Sequence, residues 1–196
     1  MIWRETLLCF LTAALLQNIV LSTGFGASML LRTLHRSRDT LVFSLLLMLF
    51  AVSTVLLAYP IDMALGTSWN IKLLRPGIVV AITAVLYGLF SLLFRHLLPR
   101  FYTRYGRFFP LAAFNNLVIA VALIINHRAA VTLLPAVGIA LGACAGFLFL
   151  SLCTRECVDR TDHPDMPYAF RGMPVSLLYL GILALGFMGF ASSYSI

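Results

Sequence analysis

Six apolar runs punctuate this chain, at about residues 6–31, 41–59, 77–94, 108–125, 129–152 and 174–192. Each approaches or exceeds the roughly 18–20 residues that a helix needs to cross the hydrocarbon core of a bilayer. Lipid offers no water to unpaired backbone groups, so a run of this length resolves into a spanning helix. The chain is 61% hydrophobic and only 11% charged, with a mean hydropathy of +0.98. A water-soluble domain cannot hide that much apolar surface. The reading is therefore all-α, a single membrane domain over residues 1–196 with six transmembrane helices. The first run reads as a span rather than a cleavable signal peptide, being too long and lacking an A-x-A-like site before a polar region.

The net charge of +7 does not point to nucleic acid, because the basic residues flank the apolar runs. Counted by alternate loops, Arg4, Lys72, Arg75 and Arg128 fall on one side of the membrane. Arg32, Arg36, Arg38, Arg95, Arg100, Arg104, Arg107, Arg155, Arg160 and Arg171 fall on the other. An excess of Lys and Arg marks the cytoplasmic face. Both termini are thus expected outside, in an inner (cytoplasmic) membrane of bacterial type. The 4–10 split decides the orientation.

Two of the runs carry interruptions. Gly24-Phe25-Gly26-Ala27-Ser28 lies in the first, and Asn115-Asn116 in the fourth. Closely spaced glycines loosen a helix, and freed peptide groups at membrane depth are tolerated only inside protein or along a cavity. The six helices divide into halves of about 1–98 and 99–196, joined by a basic and aromatic loop over residues 95–107. Three helices per half require any repeat to be inverted across the membrane, with interrupted helices 1 and 4 in matching positions. Gln17-Asn18-Ile19-Val20-Leu21 echoes Asn115-Asn116-Leu117-Val118-Ile119. A midplane site built from Asn18, Gly24, Gly26 and Asn115 follows. The amides of Gln17, Asn18, Asn115 and Asn116 are expected to face the interior, either lining a path or joining helices by hydrogen bonds. No carboxylate or basic side chain is expected well buried within the spans, since Glu5, Asp39 and Asp62 fall near their ends.

Gly138, Gly142 and Gly146 recur every four residues in the fifth run and mark a close helix approach, within the chain or with a partner. Residues 153–173 read as a mixed-charge cytoplasmic loop. Within it Tyr168-Ala169-Phe170-Arg171-Gly172 is a candidate docking segment. Cys9, Cys144, Cys153 and Cys157 form no disulfide framework. Cys153-x3-Cys157 with His163 lacks a fourth ligand and the usual tighter zinc spacing, so no metal site is expected.

Four stretches carry a family resemblance. They are Asn18-Ile19-Val20-Leu21 followed by Gly26; Tyr102-x3-Gly106-x3-Pro110-Leu111; Asn115-Asn116-Leu117-Val118-Ile119-Ala120-Val121-Ala122-Leu123; and Pro167-x2-Phe170-Arg171-Gly172 with Phe187-Met188-Gly189-Phe190. In these the chain resembles the six-helix membrane subunits of Rnf electron-transport complexes and Na+-translocating NADH:quinone reductases (the A- and E-type subunits of Rnf, the D- and E-type subunits of Nqr). The resemblance implies pairing with an antiparallel paralogous six-helix subunit. It also implies a [2Fe–2S] cluster held in the membrane by two cysteines from each partner. The equivalent positions here are Ser28 and Asn116, neither a substitute for a cluster thiolate. The chain is thus a divergent member, with no cofactor of its own expected. The outside termini resemble the A-type Rnf or E-type Nqr orientation.

The functional expectation is an integral membrane subunit of an Rnf/Nqr-like ion-translocating electron-transport complex, without its own cluster ligands. The alternative is a small inverted-repeat carrier or channel for a solute or cation, and a third reading is a purely structural assembly subunit. No nucleophile–base pair or nucleotide loop suggests that the chain is catalytic on its own.

Overall fold

The computed structural model describes residues 2–16, 18–24, 37–65, 69–127, 132–161, 167 and 170–193. The regular elements among them are helices: α1 (Ile2–Leu11), a π-helical turn π1 (Thr12–Leu16), α2 (Ile19–Thr23), α3 (Ser37–Leu65), α4 (Trp69–Leu97), α5 (Pro99–Tyr105), α6 (Phe108–Ala113), α7 (Asn116–His127), α8 (Leu133–Thr161) and α9 (Met173–Ser193). Among the described residues, five stretches are long and apolar enough to cross a membrane: Trp3–Ser22, Arg38–Leu65, Leu73–Leu97, Phe108–Ile125 and Leu133–Thr161. A shorter apolar helix, Met173–Gly189, corresponds to the sixth expected run. At 29 residues each, α3, α4 and α8 reach about 44 Å, beyond a ~30 Å hydrocarbon core. Their ends therefore lie among headgroups.

The core forms where α3 packs on α8. On α3, Phe43, Leu46, Leu47, Phe50, Ala51, Val55 and Ala58 are buried, and on α8, Ala136, Ile139, Ala140, Ala143, Phe147 and Leu150. The three- and four-residue spacing gives each helix one inward stripe. Phe43 and Phe147 meet there with ring centroids 5.8 Å apart. Around this pair, α1 and π1 lie along α8, while α6 and α7 lie along α3. The α4 helix flanks α3, α6 and α7, and α9 flanks α8, π1 and α2.

The glycines of α8 explain how α1 comes so close. A Cβ at Gly138 would sit 2.8 Å from the Thr6 carbonyl oxygen, and one at Gly146 would sit 2.6 Å from Asn18 Nδ2. At Gly142 it would collide with the Phe10 carbonyl oxygen and approach Ala13 Cβ at 3.0 Å. Of the two uses open to this stripe, packing within the chain is the one realised.

Three expectations need revision. The 95–107 connector is not a loop, because α5 occupies Pro99–Tyr105. Pro99 starts this helix, where its missing N–H costs nothing, and Phe101, Tyr102 and Tyr105 pack inward against the core. The polar stretch after residue 153 is helical to Thr161. Its charges pair one turn apart, Arg155 with Asp159 at 3.4 Å and Arg160 with Glu156 at 2.9 Å, which suits continued helix. Finally, a charged residue is buried: Arg75, 8% exposed, forms an ion pair with Asp62 at 3.2 Å. The pair closes the α3–α4 hairpin, each charge answering the other near the helix ends.

Gly142→Ala is expected to lower stability by about 1–3 kcal/mol, the usual cost of overpacking a tight contact. Gly181→Ala on α9, where an added Cβ meets nothing within 4 Å, is expected to be neutral. Thermal denaturation of the two variants in the same detergent checks the contrast.

Candidate functional site

A helix broken inside lipid exposes donors at the start of its second piece and acceptors at the end of its first. The first span breaks between π1 and α2. Asn18 stands at the break with φ −58° and ψ 108°, out of helical geometry. Its Oδ1 accepts a hydrogen bond from the Val20 N–H at 3.0 Å. Its Nδ2 donates backward to the Ala14 carbonyl at 3.1 Å. One buried amide thus serves both sides of the gap. The Asn18 carbonyl accepts from the N–H groups of Leu21 and Ser22, which starts α2.

The fourth span breaks in the same manner. Phe114 bends the chain after α6, and Asn115 Oδ1 accepts from the Leu117 N–H at 2.9 Å. The Asn115 carbonyl then accepts from Val118 and Ile119. Asn18 and Asn115 are 3% and 6% exposed, so both caps are internal. The pieces that follow them, α2 and α7, touch each other. The two interruptions are therefore parts of one region.

Of the expected site residues, Asn18 and Asn115 are both buried caps, and the helical pieces that follow them touch. Gly24 ends α2 six residues after the Asn18 break, with φ 72° and its N–H on the Val20 carbonyl at 2.9 Å. That left-handed conformation suits glycine. Gly26, Ser28 and Gln17 lie outside the described residues. Asn116 departs from expectation, because its side chain is exposed and not internal. Adjacent helical residues point about 100° apart, so when Asn115 turns inward to cap, Asn116 turns out. The equivalence between the breaks is also offset by one from the sequence echo. Asn18 matches Asn115 in hydrogen bonding, whereas the echo set it against Asn116.

Sequence reasoning missed the π-helical turn at Thr12–Leu16, which widens the last turn before the gap. At its start the Thr12 hydroxyl donates to the Cys9 carbonyl at 3.0 Å. It also missed that Gly146 makes room for the Asn18 amide. The four cysteines are free, and no three His, Cys, Asp or Glu side chains among the described residues converge as a metal-binding group. An amide at position 116 does not fit a cluster ligand, because iron–sulfur centres are held by anionic sulfur. His163, which follows the Cys153-x3-Cys157 pair, lies outside the described residues.

The fold and the paired caps define a polytopic helical membrane protein with two interrupted spans in contact. Residues 6–193 match the family described as "Rnf-Nqr subunit, membrane protein". The chain belongs to that family. It is 28% identical over 186 residues to the A-type subunit of the ion-translocating oxidoreductase complex of Pasteurella multocida (strain Pm70), covering 95% of this chain and 96% of that one. The like-named protein of Syntrophotalea carbinolica is 25% identical over 188 residues, covering 96% and 97%. That of Alkalilimnicola ehrlichii is 32% identical over 122 residues, covering 62% and 63%.

Asn18→Ala and Asn115→Ala are each expected to cost about 1 kcal/mol or more, the usual value of a lost N-cap. Asn116→Ala, which removes no cap, is expected to leave the isolated chain's melting point unchanged. Melting of the purified variants in lipid nanodiscs reads the difference.

Proposed function

We propose that this chain serves as an A-type membrane subunit of an ion-translocating oxidoreductase complex, working there without furnishing cluster thiolates. The observation that carries this reading is the match to A-type proteins of such complexes along nearly the whole length of both chains. The exposed Asn116 adds to it. This amide lies about midway along the Phe108–Ile125 span, where lipid cannot hydrogen-bond it. A second membrane protein laid against this surface would cover it, and an antiparallel paralogous six-helix subunit is the partner we propose.

The packing also supports an inverted 3+3 repeat. Number the six apolar segments in order. The first lies on the fifth as the fourth lies on the second, and the third and sixth flank their groups alike. The second and fifth pair with each other, as elements on a pseudo-two-fold axis do. The loop charges support both termini lying outside. Asp39 at the start of α3 and Arg107 before α6 approach to 3.7 Å, in keeping with their assignment to one face. Aromatic rings fill the centre, Phe43 against Phe147 between α3 and α8 and Phe50 against Phe109 between α3 and α6, which favours a component of a larger complex over a stand-alone carrier.

Affinity purification from native membranes tests the proposal. Flavin- and iron–sulfur-binding membrane partners are expected to co-purify. Solute flux in proteoliposomes holding this chain alone, with no partner recovered, would overturn it. Iron and acid-labile sulfide are expected to be absent from the purified single chain. The double variant Ser28→Cys/Asn116→Cys, expressed alone, is expected to show no iron–sulfur absorbance, because two of four thiolates would still be missing. A cluster spectrum from it would count against the paired arrangement.

A further inference from the structure

The short α5 helix has two unlike faces. Phe101, Tyr102 and Tyr105 pack inward, with Tyr102 against Phe109 at 5.5 Å and Phe101 against Phe94 at 6.0 Å. Arg100, Thr103, Arg104 and Arg107 are exposed. Arg100 and Arg104 are one helical turn apart, so they share a face. Arg95 and His96, in the last turn of α4, are exposed beside it.

Two further features hold this face in place. The Arg104 guanidinium lies over the Tyr105 ring, 5.5 Å from its centroid, and that of Arg107 lies 4.9 Å from the centroid of Phe108. A guanidinium resting on an aromatic face keeps its N–H edge free for an anion. The turn into α6 is tight, the Gly106 N–H bonding the Tyr102 carbonyl at 2.7 Å. A Cβ at Gly106 would lie 2.6 Å from that same oxygen. The ring contacts to Phe94 and Phe109 hold the helix against the ends of the spans.

Position and charge identify the occupant. The α5 helix joins the end of the Leu73–Leu97 span to the start of the Phe108–Ile125 span. It therefore lies at the depth of the lipid headgroups, and a soluble partner would have to displace lipid to reach it. Among the described residues only Arg107 of this face has a carboxylate partner, Asp39 at 3.7 Å, and the Arg107 side chain remains 72% exposed. We propose that Arg100 and Arg104 of α5, with Arg107 just beyond it, bind the phosphate of an anionic phospholipid, with arginine N–H edges donating to the phosphate oxygens. This site belongs to the single chain and does not depend on the paralogous partner proposed above.

The test uses the full chain in nanodiscs of phosphatidylcholine doped with phosphatidylglycerol, with retained lipid counted by native mass spectrometry. The wild type is expected to retain phosphatidylglycerol over phosphatidylcholine, and the preference should fall as salt is raised. Removing two interfacial charges in R100Q/R104Q is expected to weaken that retention roughly 30-fold, taking the usual gain per basic residue at an anionic surface. R4Q, far along the chain and absent from this face, should behave as wild type. Equal retention by wild type and R100Q/R104Q would overturn the proposal. So would a wild type with no lipid preference, including one stabilised instead by soluble poly-glutamate, which would indicate an acidic protein partner. The wild-type comparison needs no variant to fold.

Discussion

Everything in this fold answers to one constraint: a peptide group released from a helix inside lipid must find its partner within the protein. A lost backbone hydrogen bond costs several kcal/mol in hydrocarbon. Two spans are nevertheless broken here, and an asparagine stands at each break. Asn18 donates to Ala14 behind it and accepts from Val20 ahead. Asn115 accepts from Leu117. Each amide commits its Oδ1 to a freed backbone N–H, so the amides serve first as backbone caps. Any path they line is secondary to that role.

The rest of the packing supports these two gaps. The π-helical turn brings the chain to Asn18, and Gly146 leaves the space that its amide occupies. Gly138 and Gly142 set α1 close enough to α8 for that fit to be possible. On the other side, α6 and α7 are held to α3 by rings such as Phe109 against Phe50. At the second break the residue after the cap, Asn116, is exposed, so the fourth span places a polar side chain where a neighbour is needed.

Much of this was legible in the sequence because lipid leaves few options. Run length set the spans, and Asn115-Asn116 marked the fourth span's break. The first was expected from the glycines at residues 24–28, whereas the described break falls earlier, at Asn18, with Gly24 closing α2. The family was legible from four short stretches, and the match over residues 6–193 agrees with it. Other features depended on which way a side chain turns, which letters alone do not encode. Asn115 and Asn116 are chemically identical, and only the cap geometry sends one inward and the other out. The α5 helix was read as loop because Pro99 and Gly106 look like breakers, yet one begins a helix and the other ends it. The charges after residue 153 looked like a solvated loop until their four-residue pairing was visible in space.

The most direct test looks at the caps themselves, by magic-angle-spinning NMR on the selectively labelled chain in lipid bilayers. The dipolar couplings that matter link Asn18 Cγ to the Val20 nitrogen and Asn115 Cγ to the Leu117 nitrogen. Both are expected at hydrogen-bonding separation, with non-helical shifts at Asn18 and Asn115. Unbroken helical shifts through both positions, with neither coupling present, would contradict the account.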